Sequence, residues 1–422
     1  MTDKRNKQTA LKIADIVLFA ILLALLAYFF GRLVYAQALY AGKEGGYFSD
    51  IYAYMQEMQG IDSGYSFPYP IFFLTGKALN LFLPIELAVT VAEVFFNTLA
   101  IVITKYYLEK YIHESCKKDI TWQHFVITVF VFAGFLMSMW WLPRFGKITL
   151  PFKDQVFYGT YSGNPWHNAT YIATRPFAIG SFFSFIALLQ NDDDKDNKFD
   201  LKKGIVFGIF LFLTTMTKPS FTLVCVSAMT VVCLFRLIKN RFKNIKYFVF
   251  LFLCSLPTAI ALILQFGGVF GSGNTEAEHG IGLDFFRVWR SANPHVLAAI
   301  FYANVFALVC IPFLIKNIRN DFMYRFTLII FVVSVLEAGL LCEKGFRYSH
   351  FNFSWGYMHG IFFFALGSIA VLLKDIFEKK IKIPFAIICI LALLSQVVFG
   401  ILYFKGLYYG RDYNTLLPYN WL

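Results

Sequence analysis

The amino-acid sequence predicts an all-α polytopic membrane protein that crosses the bilayer about eleven times. Of the 422 residues, 58% are hydrophobic and only 15% are charged. Soluble domains carry about 25% charged residues, so this chain has too few polar side chains to cover a soluble core. Apolar runs of about 18 or more residues recur along the whole chain, each long enough to cross a bilayer. They are continuous rather than alternating, which favours helices over the strands of a barrel.

No soluble domain, flexible linker or internal repeat separates these runs, so residues 1–422 are expected to form a single membrane domain. Two of the predicted spans, 174–190 and 203–217, are short for a full crossing. The predicted spans are 11–36, 85–105, 123–142, 174–190, 203–217, 220–236, 247–266, 296–315, 325–342, 354–373 and 383–404.

One further apolar run, Pro70 to Leu83, is about 14 residues long and is better interpreted as an interfacial helix than as a span. Lys77 and Asn80 lie inside it, and proline stands at both borders. With this interpretation, residues 37–84 form a first exoplasmic loop that contains short helices.

The net charge of +12 does not indicate nucleic-acid binding, because the basic residues cluster at the ends of the apolar runs. One set of connections, which includes the N-terminus, holds about twice as many Lys and Arg residues as the other. The more basic side of a membrane protein is the cytoplasmic side. We therefore expect a multi-pass protein of the cell membrane with a cytoplasmic N-terminus and an exoplasmic C-terminus. The other long exoplasmic loops would be 143–175, 267–295 and 343–353.

The first exoplasmic loop contains an acidic residue close to the end of the first span. Ser49 or Asp50 is placed to begin a short helix that ends near Gln59. On that helix Asp50, Tyr54 and Glu57 share one face, because spacings of four and seven residues fall near whole turns. A carboxylate is thus predicted just above the membrane surface, although an acid that only caps a surface helix would have the same sequence.

This loop resembles the corresponding loop of the GT-C superfamily of membrane glycosyltransferases. The resemblance consists of Asp50 soon after the first span, the Tyr/Pro-rich stretch Tyr65–Pro70 and the apolar run Ile71–Leu83. It covers about the first 110 residues in pattern and the rest of the chain only in general topology. The resemblance implies a fold like that of GT-C enzymes. It also implies transfer of a sugar from a polyprenyl-phosphate donor to a glycan or lipid acceptor. Membrane lipids would be further partners.

Many members of that superfamily carry a pair of acidic residues in this loop, whereas the neighbours of Asp50 are Ser49 and Ile51. The single acid argues against a metal-bound donor, so no metal and no other cofactor is expected. Inverting glycosyl transfer needs a carboxylate that takes the proton of the attacking hydroxyl group, and Asp50 is the candidate for this general base.

The leaving phosphate needs cationic groups where negative charge develops. Candidate donor-phosphate ligands are the exoplasmic cations Lys218, Arg175, Arg347 and His350. For Lys218 and Arg175 the alternative is that each side chain only reaches from a span to the membrane surface. Candidate sugar or acceptor ligands are polar and aromatic side chains, and for Trp355 the alternative is an interface-belt residue. These candidates are Glu57, Tyr54, Trp166, His167, Asn168 and Trp355.

Two other functions fit the same topology. An O-antigen-type polymerase or ligase would also have about a dozen spans and exoplasmic Arg and His residues, but would not need the acid of the first loop. A transporter or flippase of lipid-linked sugars would have charged pairs in mid-membrane and related halves. The sequence shows neither related halves nor a convincing pair of broken helices.

Overall fold

The computed structural model describes residues 2–41, 47, 49–116, 122–140, 144–145, 148–149, 161–189, 199–270 and 280–410. Within these residues, eight helices are long and apolar enough to cross a membrane, and a bent pair of helices would make a ninth crossing. The chain is therefore an all-α, multi-pass membrane protein. Residues 271–279 of the predicted exoplasmic loop 267–295 lie outside the described residues, as does the connection 190–198.

The helices follow one another with short connections in most of the described chain. They are α1 (Thr2–Leu39), α2 (Ile51–Gln59), α3 (Ile71–Asn80), α4 (Ile85–Cys116), α5 (Trp122–Leu136), α6 (Ala169–Leu189), α7 (Leu201–Thr217), α8 (Ser220–Lys239), α9 (Ile245–Phe270), α10 (Arg287–Ala292), α11 (Val296–Ala303), α12 (Val305–Phe313), α13 (Ile315–Asn320), α14 (Phe322–Leu340), α15 (Ser354–Phe377) and α16 (Ile383–Tyr408).

Two small antiparallel strand pairs, which the sequence did not predict, lie in the long connections. Strand β1 (Arg144–Phe145) pairs with β2 (Ile148–Thr149), and β3 (Ile281–Leu283) pairs with β4 (Leu341–Glu343). The second pair joins the predicted loop 267–295 to the end of the predicted span 325–342 and the first residue of the predicted loop 343–353. A 3-10 helix, Gly345–His350, follows β4 directly.

The single span predicted at 296–315 is instead the pair α11 and α12, which meet at Asn304 with a bend of 72°. A break at this depth leaves backbone groups without helical partners, which other side chains must satisfy. Gln396 of α16 does this: its amide accepts from Phe306 N at 2.9 Å and donates to Ala303 O at 2.9 Å.

The predicted span 123–142 also ends early, because α5 stops at Leu136. Gly400 of α16 lies so close to the Leu136 carbonyl that no Cβ would fit there. The chain beyond α5 leaves the helical path, and Trp140 N donates to Tyr302 O at 2.9 Å. The helix predicted to begin at 174 begins at Ala169, so the predicted loop 143–175 is shorter at its end.

Contacts between helix ends define two ends of the bundle. At one end Lys105 of α4 binds Asp15 of α1 at 2.7 Å, and Lys374 of α15 binds Asp321 at 2.6 Å. At the other end the ring of Tyr408, at the end of α16, lies 6.3 Å from that of Phe29 in α1. The N-terminus of α1 and the C-terminus of α16 therefore lie at opposite ends of the bundle.

The chain between α1 and α4 begins and ends at the same end of the bundle as Tyr408. Helix α4 runs antiparallel to α1, and α3, with ten residues, is too short to cross between them. Helix α3 packs against α2, where Met58 contacts Gly76 so closely that a Cβ at Gly76 would collide with its sulfur. Helices α2 and α3 thus form a cover over this end of the bundle, which we call the loop end.

Candidate active site

Asp50 stands at the N-cap position of α2, but its side chain does not cap the helix. The free N–H of Ile51 is taken instead by Ser49 Oγ at 3.3 Å. Capping side chains at this position normally accept a hydrogen bond from the first turn of their own helix. The Asp50 carboxylate instead accepts its hydrogen bonds from other side chains.

The carboxylate of Asp50 points to the start of α6. Its Oδ2 accepts a short hydrogen bond from Asn168 Nδ2 and a long one, 3.5 Å, from the Tyr54 hydroxyl. The backbone N–H of Asp50 donates to His167 O at 3.4 Å. Burial raises the pKa of the Asp50 carboxyl above its usual value, while Lys218 and the bond from Asn168 act to lower it.

The side chain of Lys218, which lies in the turn between α7 and α8, also contacts the start of α6. Its Nζ donates to Asn168 Oδ1 at 3.0 Å and to Thr170 Oγ1 at 3.1 Å, and lies 3.9 Å from the centre of the Trp355 ring. The residue is only 7% exposed. Burial lowers the pKa of Lys218 to about 7, against the opposing effect of Asp50.

Asn168 connects the acid and the cation, and local helix formation fixes its position. It precedes Ala169, the first residue of α6, and its Oδ1 accepts from Tyr171 N at 2.9 Å, which is the bond of an N-cap residue. With Oδ1 held by the helix and by Lys218, Nδ2 must face Asp50. One amide thus sets the orientation of both charged groups.

His167 and Trp355 complete the wall of the site. The His167 ring lies 5.9 Å from that of Trp355, and its Nδ1 lies 3.4 Å from the Tyr403 hydroxyl. Burial and the charge of Lys218 lower the pKa of His167 to about 3, so the imidazole is neutral at physiological pH. The site therefore combines one carboxylate, one ammonium group and a neutral, partly aromatic wall.

A second cation lies farther out, beyond Tyr69. The pKa of Tyr69 is raised by burial and then by the charge of Asp50, while Arg347 lowers it, so this phenol lies within electrostatic reach of both. Arg347 Nε donates to Glu343 Oε2 at 2.9 Å, and Asn352 Nδ2 donates to the same oxygen at 2.5 Å. The guanidinium group is thus held near the site by a carboxylate of the β4 strand.

Four of the predicted site residues lie apart from this cluster. Arg175 and Trp166 are fully buried inside the bundle rather than facing the surface. His350 is exposed, with its ring 6.4 Å from that of Tyr65. Glu57 lies on α2 beyond Tyr54 and is half-buried.

Sequence reasoning did not select Thr170 or Tyr69, which the structure places beside the acid and the lysine. Thr170 lies two residues beyond Asn168, and its Oγ1 contacts Tyr54 OH at 3.2 Å. Tyr69 belongs to the Tyr/Pro-rich stretch before α3. The only signal in the sequence was that both residues lie close to predicted site residues. Thr170 lies at a helix start and Tyr69 in an extended stretch, and neither has a periodic pattern that would predict the direction of its side chain.

Among the described residues, one group of side chains has the spacing of metal ligands, and it lies at the opposite end from the loop end. It consists of Asp15, Glu109 and His124. Lys105 Nζ lies 2.7 Å from Asp15 Oδ2 and 2.9 Å from Glu109 Oε1. An ammonium group therefore already fills the position that a cation would take.

Fold and geometry together define a multi-pass helical membrane protein with an acid–lysine site at one end of its bundle. No protein-family model matches the sequence, and a search of the curated proteins finds no match.

Proposed function

We propose that this chain is a GT-C-like membrane glycosyltransferase. It would move a sugar from a polyprenyl-phosphate donor to a glycan or lipid acceptor, with Asp50 as the general base. One observation carries this proposal: the Asp50 carboxylate and the Lys218 ammonium group, from separate parts of the chain, both bind the Asn168 amide. Inverting transfer needs a base and a cation close together, one on each side of the reacting sugar carbon.

In the proposed reaction Asp50 takes the proton of an acceptor hydroxyl group as its oxygen bonds to the anomeric carbon. The bond from that carbon to the phosphate oxygen breaks, and the lipid phosphate leaves with the electron pair. Lys218 and Arg347 stabilise the negative charge on the leaving group. A raised pKa of Asp50 makes its carboxylate a stronger base, which assists proton removal.

The wall of the site supports roles in binding the sugar or the acceptor. Trp355 and Tyr54 offer aromatic faces, and His167 and Asn168 offer hydrogen-bonding groups. Glu57 would contact the acceptor farther out on α2. His350, exposed beside Tyr65, would bind phosphate only if donor binding brings its loop inward, and Arg175 is not assigned to phosphate because it is buried. The proposed reaction requires no metal.

The proposed membrane placement has eleven crossings, the interfacial helix α3 and an exoplasmic loop end. The count adds the bent pair α11–α12 and the shorter helices α5 and α7, of 15 and 17 residues, to the eight long helices. The basic residues of the opposite end support its cytoplasmic placement. A donor whose lipid tail lies in the outer leaflet would then present its phosphate to the site.

The test uses purified full-length protein, polyprenyl-phosphate hexoses labelled in the sugar, and glycan or lipid acceptors. We expect Asp50→Asn to lower the transfer rate by about 10²- to 10⁴-fold. Asp62→Asn is the matched control, because Asp62 lies exposed in the same loop, where it binds Gly64 N at 2.9 Å. Transfer by D50N at the rate of D62N would refute the proposal and favour a polymerase or ligase that does not use this acid.

A transporter of lipid-linked sugars is the second candidate, and one observation favours it. Arg175 and Glu93 lie fully buried in the bundle within electrostatic reach of each other. Intramembrane charges of this kind often mark transport pathways. Movement of labelled lipid-linked sugar across proteoliposomes, without transfer to any acceptor, would distinguish a transporter from a transferase.

A further inference from the structure

Residues 161–168 form a segment without α-helix that lies inside the bundle. All eight residues are buried, among them Tyr161 and Trp166, which are 0% exposed. Non-helical backbone at membrane depth persists only where protein groups satisfy its polar atoms. The segment ends in His167 and Asn168, so whatever holds it also determines where these two residues enter the site.

Asn164 anchors this segment at its deepest point. Its Nδ2 donates to Gly134 O at 3.1 Å and to Met137 O at 2.9 Å, which ties the segment to the end of α5. Its Oδ1 accepts a hydrogen bond of 2.5 Å from Arg175 Nη1. The nitrogen of the Asn164 amide thus attaches the segment to the end of α5, and the oxygen of the same amide attaches it to α6.

Arg175 extends this attachment to α4. Its Nη2 donates to Asn97 Oδ1 at 2.6 Å, and its guanidinium carbon lies 4.9 Å from the centre of the Phe135 ring. A planar guanidinium group presents two nitrogens to two acceptors in fixed directions, which the single ammonium group of lysine cannot do. One side chain therefore sets the relative positions of α4, α6 and the buried segment.

We propose that Arg175 is a positioning residue that places Asn168 between Asp50 and Lys218. Arg175 and Asn164 lie eleven positions apart in sequence, and their bond closes the chain between them into a loop. Asn168 lies within that loop, about 10 Å along α6 from Arg175. The Asn164–Arg175 bond is itself attached to α4 and α5, which fixes both ends of this loop. The position of Asn168 along the bundle is therefore fixed at the level where it contacts both Asp50 and Lys218.

Glu93 is a buried acid within electrostatic reach of Arg175. It lies on α4 one helical turn before Asn97, it is fully buried, and neither of its carboxylate oxygens has a hydrogen-bond partner among the described residues. Removing only Arg175 would leave this buried acid without a cation, which is costly. The variant Glu93→Gln/Arg175→Gln removes both charges, and the shorter glutamine side chain does not extend as far as the guanidinium group that binds Asn164 and Asn97.

A role of Arg175 in catalysis rests on the proposed function, but the test of Arg175 as a positioning residue does not depend on that function. The probe is an amine-reactive acylating reagent applied to purified full-length protein, with labelling of Lys218 followed against pH by peptide mass spectrometry. Asp50 acts on the charge of Lys218, and the charge of Lys218 in turn acts on the nearby His167 and His359. In the wild-type protein, the labelling midpoint is expected near pH 7.

In Arg175→Met and in E93Q/R175Q we expect this midpoint to rise by about one pH unit or more, because a displaced Asn168 admits water to Lys218. Arg236→Met is the matched control: it removes an arginine at the opposite end, which donates to Leu189 O at 3.0 Å and covers the Phe322 ring. Its midpoint should equal that of the wild type.

If R175M does not fold, the double variant decides. A wild-type midpoint in the folded Arg175 variants would overturn the proposal, whereas full transfer activity in D50N would refute only the proposed function.

Discussion

Asp50 occupies the N-cap position of α2 yet gives its carboxylate to Asn168, the residue that caps α6. The start of α6 therefore depends on a side chain that also belongs to the site, whereas at the start of α2 it is Ser49 Oγ that accepts from Ile51 N. A surface acid with only a capping role would bind its own helix. The partner of Asp50 lies more than a hundred residues away, so the local fold of α2 does not explain the direction of its carboxylate.

Replacing the shared amide should weaken both the site and the helix. We expect Asn168→Ala to lower transfer activity, because Asp50 and Lys218 lose their common partner, and to lower the free energy of unfolding by about 1 kcal/mol through loss of the α6 cap. Asn168→Ser, which can still cap, should recover stability but not activity. Denaturant unfolding and transfer rates measure the two effects, and equal recovery of both by N168S would contradict the proposed bridging role.

The pH dependence of transfer should report Asp50 and Lys218 together. Asp50 acts as an anion, so the rate rises as pH increases through its raised pKa. Lys218 acts as a cation, so the rate falls as pH increases through about 7. Arginine keeps its charge to far higher pH. We therefore expect Lys218→Arg to remove the falling limb between pH 7 and 9 while the rising limb stays in place. A falling limb unchanged in K218R would assign it to another group.

Gln396 should be among the most sensitive positions of the fold outside the site. Its amide satisfies backbone atoms on both sides of the α11–α12 break and also donates to Ser138 O at 3.1 Å. Each buried polar group left without a partner costs about 1–3 kcal/mol. We expect Gln396→Leu to lower the free energy of unfolding by about 3 kcal/mol. Ser395→Ala, one residue earlier, is the control, and thermal unfolding in detergent that is equal for both would show that the break needs no such support.

Hydropathy and charge predicted the membrane class and most helices, because long apolar runs leave the chain few alternatives in lipid. They could not predict the bend at Asn304 or the early end of α5. Both depend on Gln396 and Gly400 of α16, which lie far away in sequence. The start of α2 after Ser49 or Asp50 was predicted correctly, because the signals for a helix start are local. The burial of Arg175 was not predicted. An arginine at the start of an apolar run has the same sequence pattern whether its side chain faces water or binds an asparagine inside the protein.

The orientation of the loop end decides whether a lipid-linked donor of the outer leaflet can reach Asp50. Ser66 is exposed in the loop between α2 and α3, and Lys379 is exposed at the opposite end of the bundle. We expect Ser66→Cys to react with a membrane-impermeant maleimide in intact cells, and Lys379→Cys to react only after the membrane is permeabilised. The positive-inside pattern is the physical basis of this expectation. The reverse labelling pattern would place the acid and the lysine in the cytoplasm, where the proposed donor could not be used.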